Sequence, residues 1–396
     1  MNVLVCNAGS TSLKFKLYDM PSPEVLAEGK VERVGSTDNA IFHYTNEKKH
    51  FAVMLENQCI PDYTTGIQMF LARLLAPESG ALQSLEEIAR VGFKSVLSKD
   101  HYGVHAIDDK VLQGMEDYMV VAPAHNTAYL SAIRQFQALL PNTLMVGVFE
   151  TAFHTTIPQE RRTYSIPYEW TEAYGIRRMG YHGASHGYVA DCIAALEGPG
   201  RKVISCHLGG SCSLCAIDDG KSVDNSFGFS LQCGVLHSNR SGDIDPFIIA
   251  FMAQQGLSVT EIFQTLSKNG GLKGVSGVSA DLRLVKEAAE AGNERAKLAV
   301  KMFETDILRC IGSYYVELEG LTDLVFTAGI GENDAELRSH LCAHLKHMGV
   351  QLDETKNQEK RKDIRCISAE DSAVKVNVIP ANEELGVARR TYAYKP

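Results

Sequence analysis

The chain opens Met1-Asn-Val-Leu-Val-Cys-Asn-Ala-Gly-Ser-Thr-Ser-Leu-Lys-Phe-Lys-Leu-Tyr-Asp19. Val3, Leu4 and Val5 make a short apolar strand. Leu13, Phe15 and Leu17 then alternate with Lys14 and Lys16, which is the period of a half-buried strand. The spacing predicts a hairpin with Asn7-Ala-Gly-Ser-Thr-Ser12 as its turn. Gly9 lets a ligand approach bare backbone, and Ser10, Thr11, Ser12 and the exposed N–H groups can hold an anion such as a phosphate. By itself this is also an ordinary Gly/Ser hairpin, but the chain repeats it. Lys202-Val-Ile-Ser-Cys-His-Leu-Gly-Gly-Ser-Cys-Ser-Leu-Cys-Ala-Ile-Asp218 sets Cys206–Gly210 over Cys6–Ser10, and both copies end in a second apolar strand and an Asp. Two copies of one strand–turn–strand unit predict an α/β protein of two duplicated lobes, with a phosphate-binding turn from each around a nucleotide cleft.

The 396-residue length suits two domains better than one core. With 45% hydrophobic and 22% charged residues the chain reads as globular. Met1 leads straight into a strand, with no basic and apolar leader and no run long enough to cross a bilayer, so a cytoplasmic location is expected. A formal net charge of −9 argues against nucleic acid or an anionic membrane as partner. The ten cysteines are expected to be free thiols. Cys212 and Cys215 have C-x-x-C spacing, yet offsets of three along a strand face opposite ways, which is poor for chelation.

Further along, Thr65–Leu75 reads as a helix with Ile67, Phe70, Leu71 and Leu74 on one face. Ala122-Pro-Ala-His-Asn126 reads as a turn before a helix at Thr127–Leu140, and Leu144–Glu150 as a buried strand ending in an acid. A carboxylate at the carboxyl end of such a strand is where open α/β sheets place groups that meet a ligand. Tyr174-Gly-Ile-Arg-Arg-Met-Gly-Tyr-His-Gly-Ala-Ser-His186 carries arginines, histidines and a Gly-Ala-Ser turn before a helix at Gly187–Leu196, which suits oxyanion binding at a helix N-terminus. His182 and His186 at i and i+4 could pair on a metal, but no Glu follows His182 as in zinc peptidases. Leu324–Asn333 repeats the strand-then-glycine theme with Gly329 and Gly331, and no P-loop pattern occurs.

These blocks resemble the acetate kinase family. The resemblance runs in order along essentially the whole chain: Val3–Lys14, Ala122–Asn126, Val148–His154, Gly175–Arg178 with Gly180–His186, Gly220–Asp224, Arg240–Pro246, Phe326–Asn333 and Asn382–Leu385. It implies the two-lobed fold of the acetate and sugar kinase, actin and chaperone-ATPase superfamily (ribonuclease H-like). The expected lobes are 1–148 with 383–396, on the acceptor and phosphate side, and 149–382, carrying the nucleotide and the interface of a homodimer. The implied reaction is reversible transfer of the γ-phosphoryl of ATP to a small carboxylate, giving an acyl phosphate and ADP, with Mg2+ or Mn2+. By resemblance, Asn7, Ser10 and Ser12 face the transferring group, and His182 and Arg240 stabilise its charge. Glu150 and Glu383 position the metal or its waters, with Asn7 and Glu383 as its expected ligands. His207, Gly209 and Gly210 lie along the phosphates, Asp281, Arg283, Gly329, Ile330 and Gly331 hold the adenosine, and Lys14, Ser211, Leu282 and Asn333 complete the expected ATP-binding set with Ser10 and Ser12.

Departures from the family pattern concentrate at the acceptor. The substrate-binding arginine is Lys94, a point charge instead of a bidentate fork. The strand-end aspartate is Glu150, and an asparagine that meets phosphate is Gly210. In the pocket for the acetate methyl Val96 is kept, while a leucine has become Ala124, a phenylalanine Tyr181 and a proline Leu231. Together they predict an acceptor larger or more polar than acetate. The alternative is a catalytically weak nucleotide-binding member with a regulatory role.

Overall fold

The computed structural model describes residues 1–9 and 11–396, the side chains at 123 and 124 excepted. The expectations for Ser10, and for the Ala124 side chain, therefore lie outside the described residues. The chain forms two compact units: Met1–Thr155 with Asn382–Pro396, and Thr156–Ala381.

The first unit is built on the opening hairpin. β1 (Asn2–Gly9) and β2 (Ser12–Asp19) pair antiparallel, and β3 (Glu24–Glu32), β4 (Ser36–Asn46) and β5 (Phe51–Ile60) continue the meander. On the other side of β1 lie β6 (Ile88–Phe93) and β8 (Leu144–Val148), parallel to it, with β7 (Val104–Ala106) at the edge. The alternation read from the sequence is real: Leu13, Phe15 and Leu17 are buried, while Lys14 is exposed. Their apolar face meets the helix Tyr63–Leu75, whose Ile67, Phe70, Leu71 and Leu74 are buried, and Phe15 stacks on Phe70 at 4.5 Å. The Asp62 carboxylate caps that helix by accepting from the Thr65 N–H. The closing helix Glu383–Ala393 packs on β1, β6 and β8. It comes so close at β6 that a Cβ on Gly92 would lie 2.2 Å from the Thr391 hydroxyl.

The second unit repeats the plan. β9 (Lys202–His207), β10 (Ser213–Asp218) and β11 (Lys221–Asn225) are antiparallel, and β12 (Asp323–Thr327) and β14 (Lys375–Val378) run parallel to β9, with β13 (Arg365–Cys366) at the edge. The order β11-β10-β9-β12-β14 matches β3-β2-β1-β6-β8 strand for strand and direction for direction. This is the duplication expected from the two Gly/Ser hairpins. The core sets Ile204, Leu214, Leu324 and Val376 against Phe303, Ile307 and Ile311 of the helix Glu294–Glu317.

Local boundaries differ from the sequence reading in four places. The strands of the first hairpin run on to pair Asn7 with Lys14 and Gly9 with Ser12, so Asn7 is a strand residue and not a turn residue. The Ala122 block opens a helix that already starts at Pro123, because proline is well suited to the first helical position. Gly183-Ala-Ser is the first turn of the helix Gly183–Glu197 and not a turn before it. Gly329 and Gly331 lie within a short helix, Ala328–Asn333. Among the described residues no helix is long and apolar enough to cross a membrane, and the ten cysteines are free thiols.

Candidate functional site

Each unit gathers chemistry at the carboxyl ends of its parallel strands, as open α/β sheets do. In the first unit Asn7 lies near the end of β1, Lys94 directly follows β6, and Glu150 comes two residues after β8. Backbone hydrogen bonds stitch these ends together: Lys94 N–H donates to the Cys6 carbonyl, and Glu150 N–H to the Ser95 carbonyl. Glu383 enters from the first turn of the closing helix, which the Asn382 side chain caps.

The sequence reading put Lys94 on the acceptor and Glu150 with Glu383 on the metal, but the structure makes the three one cluster. Lys94 Nζ lies 2.6 Å from Glu383 Oε2 and 3.1 Å from Glu150 Oε1. Burial alone would pull the ammonium down; the two carboxylates outweigh it and hold its pKa well above the usual lysine range. Lys94 is therefore a permanent cation between two acids. Beside it, the fully buried Tyr129 donates its hydroxyl to Asn7 Oδ1 at 2.9 Å. Val96 is buried. Ser12 is half-buried on β2, and Lys14 lines a separate surface groove with Lys16, Glu28, His43 and Glu384.

In the second unit a cavity of about 880 Å³ is lined by Gly209, Gly210, Asp281, Leu282, Arg283, Gly329, Ile330 and Asn333, together with Lys286 and Asp334. Asp281 caps the helix Leu282–Glu290 and pairs with the exposed Arg283 at 2.6 Å. Lys286 reaches Asp334 and Glu336, both at 2.8 Å. Asn333 Nδ2 donates to the Gly329 carbonyl. Three of the expected residues are not on this wall. Gly331 is buried in the short helix, whose carbonyls at Gly331 and Glu332 accept from the buried Arg338 guanidinium. Ser211 Oγ instead accepts from Arg240 at 3.0 Å, and His207 turns into a buried aromatic stack.

That stack holds His182, which caps the helix Gly183–Glu197 with φ +56°, a left-handed backbone that a non-glycine residue adopts only under firm constraint. Its ring lies face to face with His207 at 4.0 Å and edge-on to Phe227 at 5.2 Å. Arg240 donates to Ser211 Oγ and to the Leu231 carbonyl, and burial pulls its pKa below the ordinary arginine value. Leu231 is buried, and Tyr181 is fully buried with its hydroxyl donated to the Phe229 carbonyl. The Gly209–Cys212 turn is pinned from beneath, where Cys212 N–H donates to His237 Nδ1. Burial and the nearby Arg240 charge push the His237 pKa down to about 4, so this imidazole is neutral and able to accept.

Sequence reasoning missed Tyr129, Lys286, His237 and Arg338. Tyr129, Lys286 and His237 act through partners distant in sequence, Arg338 through the carbonyls of the short helix before it, and no short pattern flags them. Ser213 lies within the repeated hairpin, and its spacing from His207 carries no hint of a task.

Two sheets of one plan, one ending in a carboxylate–ammonium cluster and the other in a glycine-walled cavity, define a duplicated α/β protein of the kind the sequence implied. The family model described as the acetokinase family matches residues 2–389. An acetate kinase of Clostridium botulinum is 41% identical over 396 residues, covering 99% of this chain and 98% of the relative. The crystal structure of Porphyromonas gingivalis acetate kinase superposes with a TM-score of 0.87 at 36% identity, over 99% of this chain and 98% of that one. A propionate kinase from Francisella tularensis gives 0.88 at 34% identity, with both chains covered in full. The chain belongs to the acetokinase family.

Proposed function

We propose that this protein is an ATP-dependent kinase of a short carboxylic acid, moving the γ-phosphoryl of ATP reversibly to the acid to give an acyl phosphate and ADP. The observation that carries the reading is end-to-end similarity to proteins named acetate and propionate kinases. By the resemblance of their sequence blocks, Asn7, His182, Arg240 and Glu383 take the family's positions at the phosphoryl group. No finding favours a regulatory member without catalysis.

The reading assigns the acceptor to the first unit and the nucleotide to the second. The acid needs no general base, since a carboxylate is already ionised at neutral pH. Lys94 meets it with a single ammonium whose three donors are shared with Glu383 and Glu150. Ser12 and the Gly209–Ser211 turn serve the phosphates. The cavity takes the adenosine between Leu282 and Ile330, its acids and Lys286 suiting polar edges and ribose hydroxyls. His182 and Arg240 supply hydrogen-bond donors and positive charge to the equatorial oxygens, where charge spreads in phosphoryl transfer.

Among the described residues no three His, Cys, Asp or Glu side chains form a protein cage for a metal. Magnesium seldom uses one; it binds through one or two carboxylates and the substrate phosphates. The oxygen donors of Glu383 and Asn7 fit that chemistry and would hold Mg2+ or Mn2+. Bound there, the cation neutralises charge on the phosphates.

The departures at Lys94, Ala124, Glu150 and Tyr181 support an acceptor larger or more polar than acetate. A screen of short carboxylic and hydroxy acids with Mg-ATP, trapping acyl phosphate as hydroxamate, tests both parts. No product with any acid overturns the kinase; acetate turning over best overturns the altered acceptor.

The helices Phe247–Gln254 and Val259–Lys268 expose Phe247, Ile248, Phe251 and Phe263. Exposed apolar side chains on two neighbouring helices support a homodimer through the second unit. The free thiols match a reducing cytoplasm.

A further inference from the structure

The second unit contains a hydrogen-bonded chain that the mechanism above leaves unused. Ser205 Oγ lies 2.9 Å from His186 Nδ1, His186 Nε2 lies 2.8 Å from Ser213 Oγ, and Ser213 Oγ lies 2.9 Å from His182 Nδ1. Ser205, His186 and Ser213 are wholly buried or nearly so.

From this geometry we infer that Ser213 and His186 are positioning residues for His182, fixing its ring orientation and which of its nitrogens carries the proton. The inference rests on the reading of His182 as a residue at the transferring phosphoryl group. Each hydroxyl has one proton to give and lone pairs to accept, and a neutral imidazole donates from one nitrogen and accepts at the other. For a neutral His186, with the Ser213 proton given to one of its two imidazole neighbours, the chain runs in one of two senses. In one, Ser205 donates to His186, His186 to Ser213, and Ser213 to His182 Nδ1. In the other every donor is reversed, and His182 Nδ1–H donates to Ser213. Either way the His182 tautomer is tied to partners two and three groups away.

Placement in the fold gives the chain a purpose. Ser213 opens β10 directly after the Gly209–Cys212 turn, and His207, which stacks on His182, closes β9 directly before it. Both flanks of the turn that lines the nucleotide cavity therefore hold the same histidine. The strained φ of His182 needs such over-determination to persist.

The test is a set of cycles on the full-length enzyme: Ser213→Ala and His186→Gln, each alone and in a His182→Ala background. Ser213→Ala is expected to lower kcat about 10- to 100-fold, the scale of a misplacement near 1 Å, with KM for ATP almost unchanged. Ser213→Thr, which keeps the hydroxyl, is expected to retain most of kcat. In the His182→Ala background neither change should cost anything further. An equal loss in both backgrounds would mean ordinary structural support and overturns the inference, as does full kcat in Ser213→Ala. Should His186→Gln fail to fold, 15N spectra of histidine-labelled wild-type protein decide. A single His182 tautomer that becomes a mixture in Ser213→Ala supports the relay; a mixture already present in wild type refutes it. Wild-type protein that makes no acyl phosphate defeats the functional reading instead, and the spectra still report on the relay.

Discussion

Shortening Glu150 by one carbon probes the acceptor cluster where this chain differs from its family. Glu150→Asp withdraws the carboxylate by about one C–C bond, ~1.5 Å. The Lys94–carboxylate separation of 3.1 Å then becomes about 4.6 Å if nothing else moves. At an effective dielectric near 20 the attraction falls from about 5.4 to about 3.6 kcal/mol, a loss of about 1.7 kcal/mol. Were the whole difference expressed in the transition state, kcat would drop about 20-fold. The same geometry predicts rescue. Lys94→Arg lengthens the cationic arm and turns a point charge into a planar fork, so Lys94→Arg/Glu150→Asp restores the summed reach of the pair. Hydroxamate trapping at saturating Mg-ATP gives kcat for wild type, both single variants and the double, and thermal unfolding checks that each is folded. The expected result is a double variant about 10-fold better than the product of the two single losses, a coupling of about 1.4 kcal/mol. Losses that simply multiply, or Glu150→Asp with wild-type kcat, would refute the idea that Lys94 and Glu150 act as a length-matched pair.

Three more outcomes follow from other parts of the structure. Gly92→Ala places a Cβ 2.2 Å from the Thr391 hydroxyl and 3.1 Å from its Cβ, so the helix bearing Glu383 must shift; denaturant unfolding should show a loss of about 1–3 kcal/mol, and an unmoved midpoint contradicts the packing. Burial, followed by the charge of Glu317, raises the Asp224 pKa from 3.8 to about 7. Ionising it is therefore costlier in the fold than in the unfolded chain, so its effect on stability worsens as pH rises from 3.8 to about 7 and then levels off. Asp224→Asn should stabilise the protein at pH values above about 7, and calorimetry finding no gain there speaks against a half-buried acid pair. Phe251, 60% exposed on an apolar helix, should become intolerable at a dimer seam when changed to Glu; light scattering should then read monomer where wild type reads dimer, and an unaltered mass removes that face as the interface.

How much of this was legible in the sequence depends on the range of each interaction. The duplicated sheets were readable because the hairpin Asn2–Asp19 and its copy at Lys202–Asp218 carry their alternation locally. Helix starts were misplaced because Ala122-Pro and Gly183-Ala-Ser look like turns, whereas proline at the first helical position and a left-handed cap at His182 begin helices there. The residues around the cavity were grouped by the family resemblance, but the ion pairs that knit the first unit's cluster were not. That Lys94 sits between Glu150 and Glu383, which lie 56 and 289 positions away along the chain, follows from parallel strand order. That Ser211 supports Arg240, and that His207 stacks on His182, depends on side-chain packing that no spacing encodes.

One assay bears on the central claim most directly. Purified protein with Mg-ATP and a panel of short carboxylic acids, quenched with hydroxylamine, should yield hydroxamate only when nucleotide, metal and acid are all present, with one ADP released per hydroxamate. Nucleotide bound tightly while no acid in the panel gives hydroxamate would contradict the account.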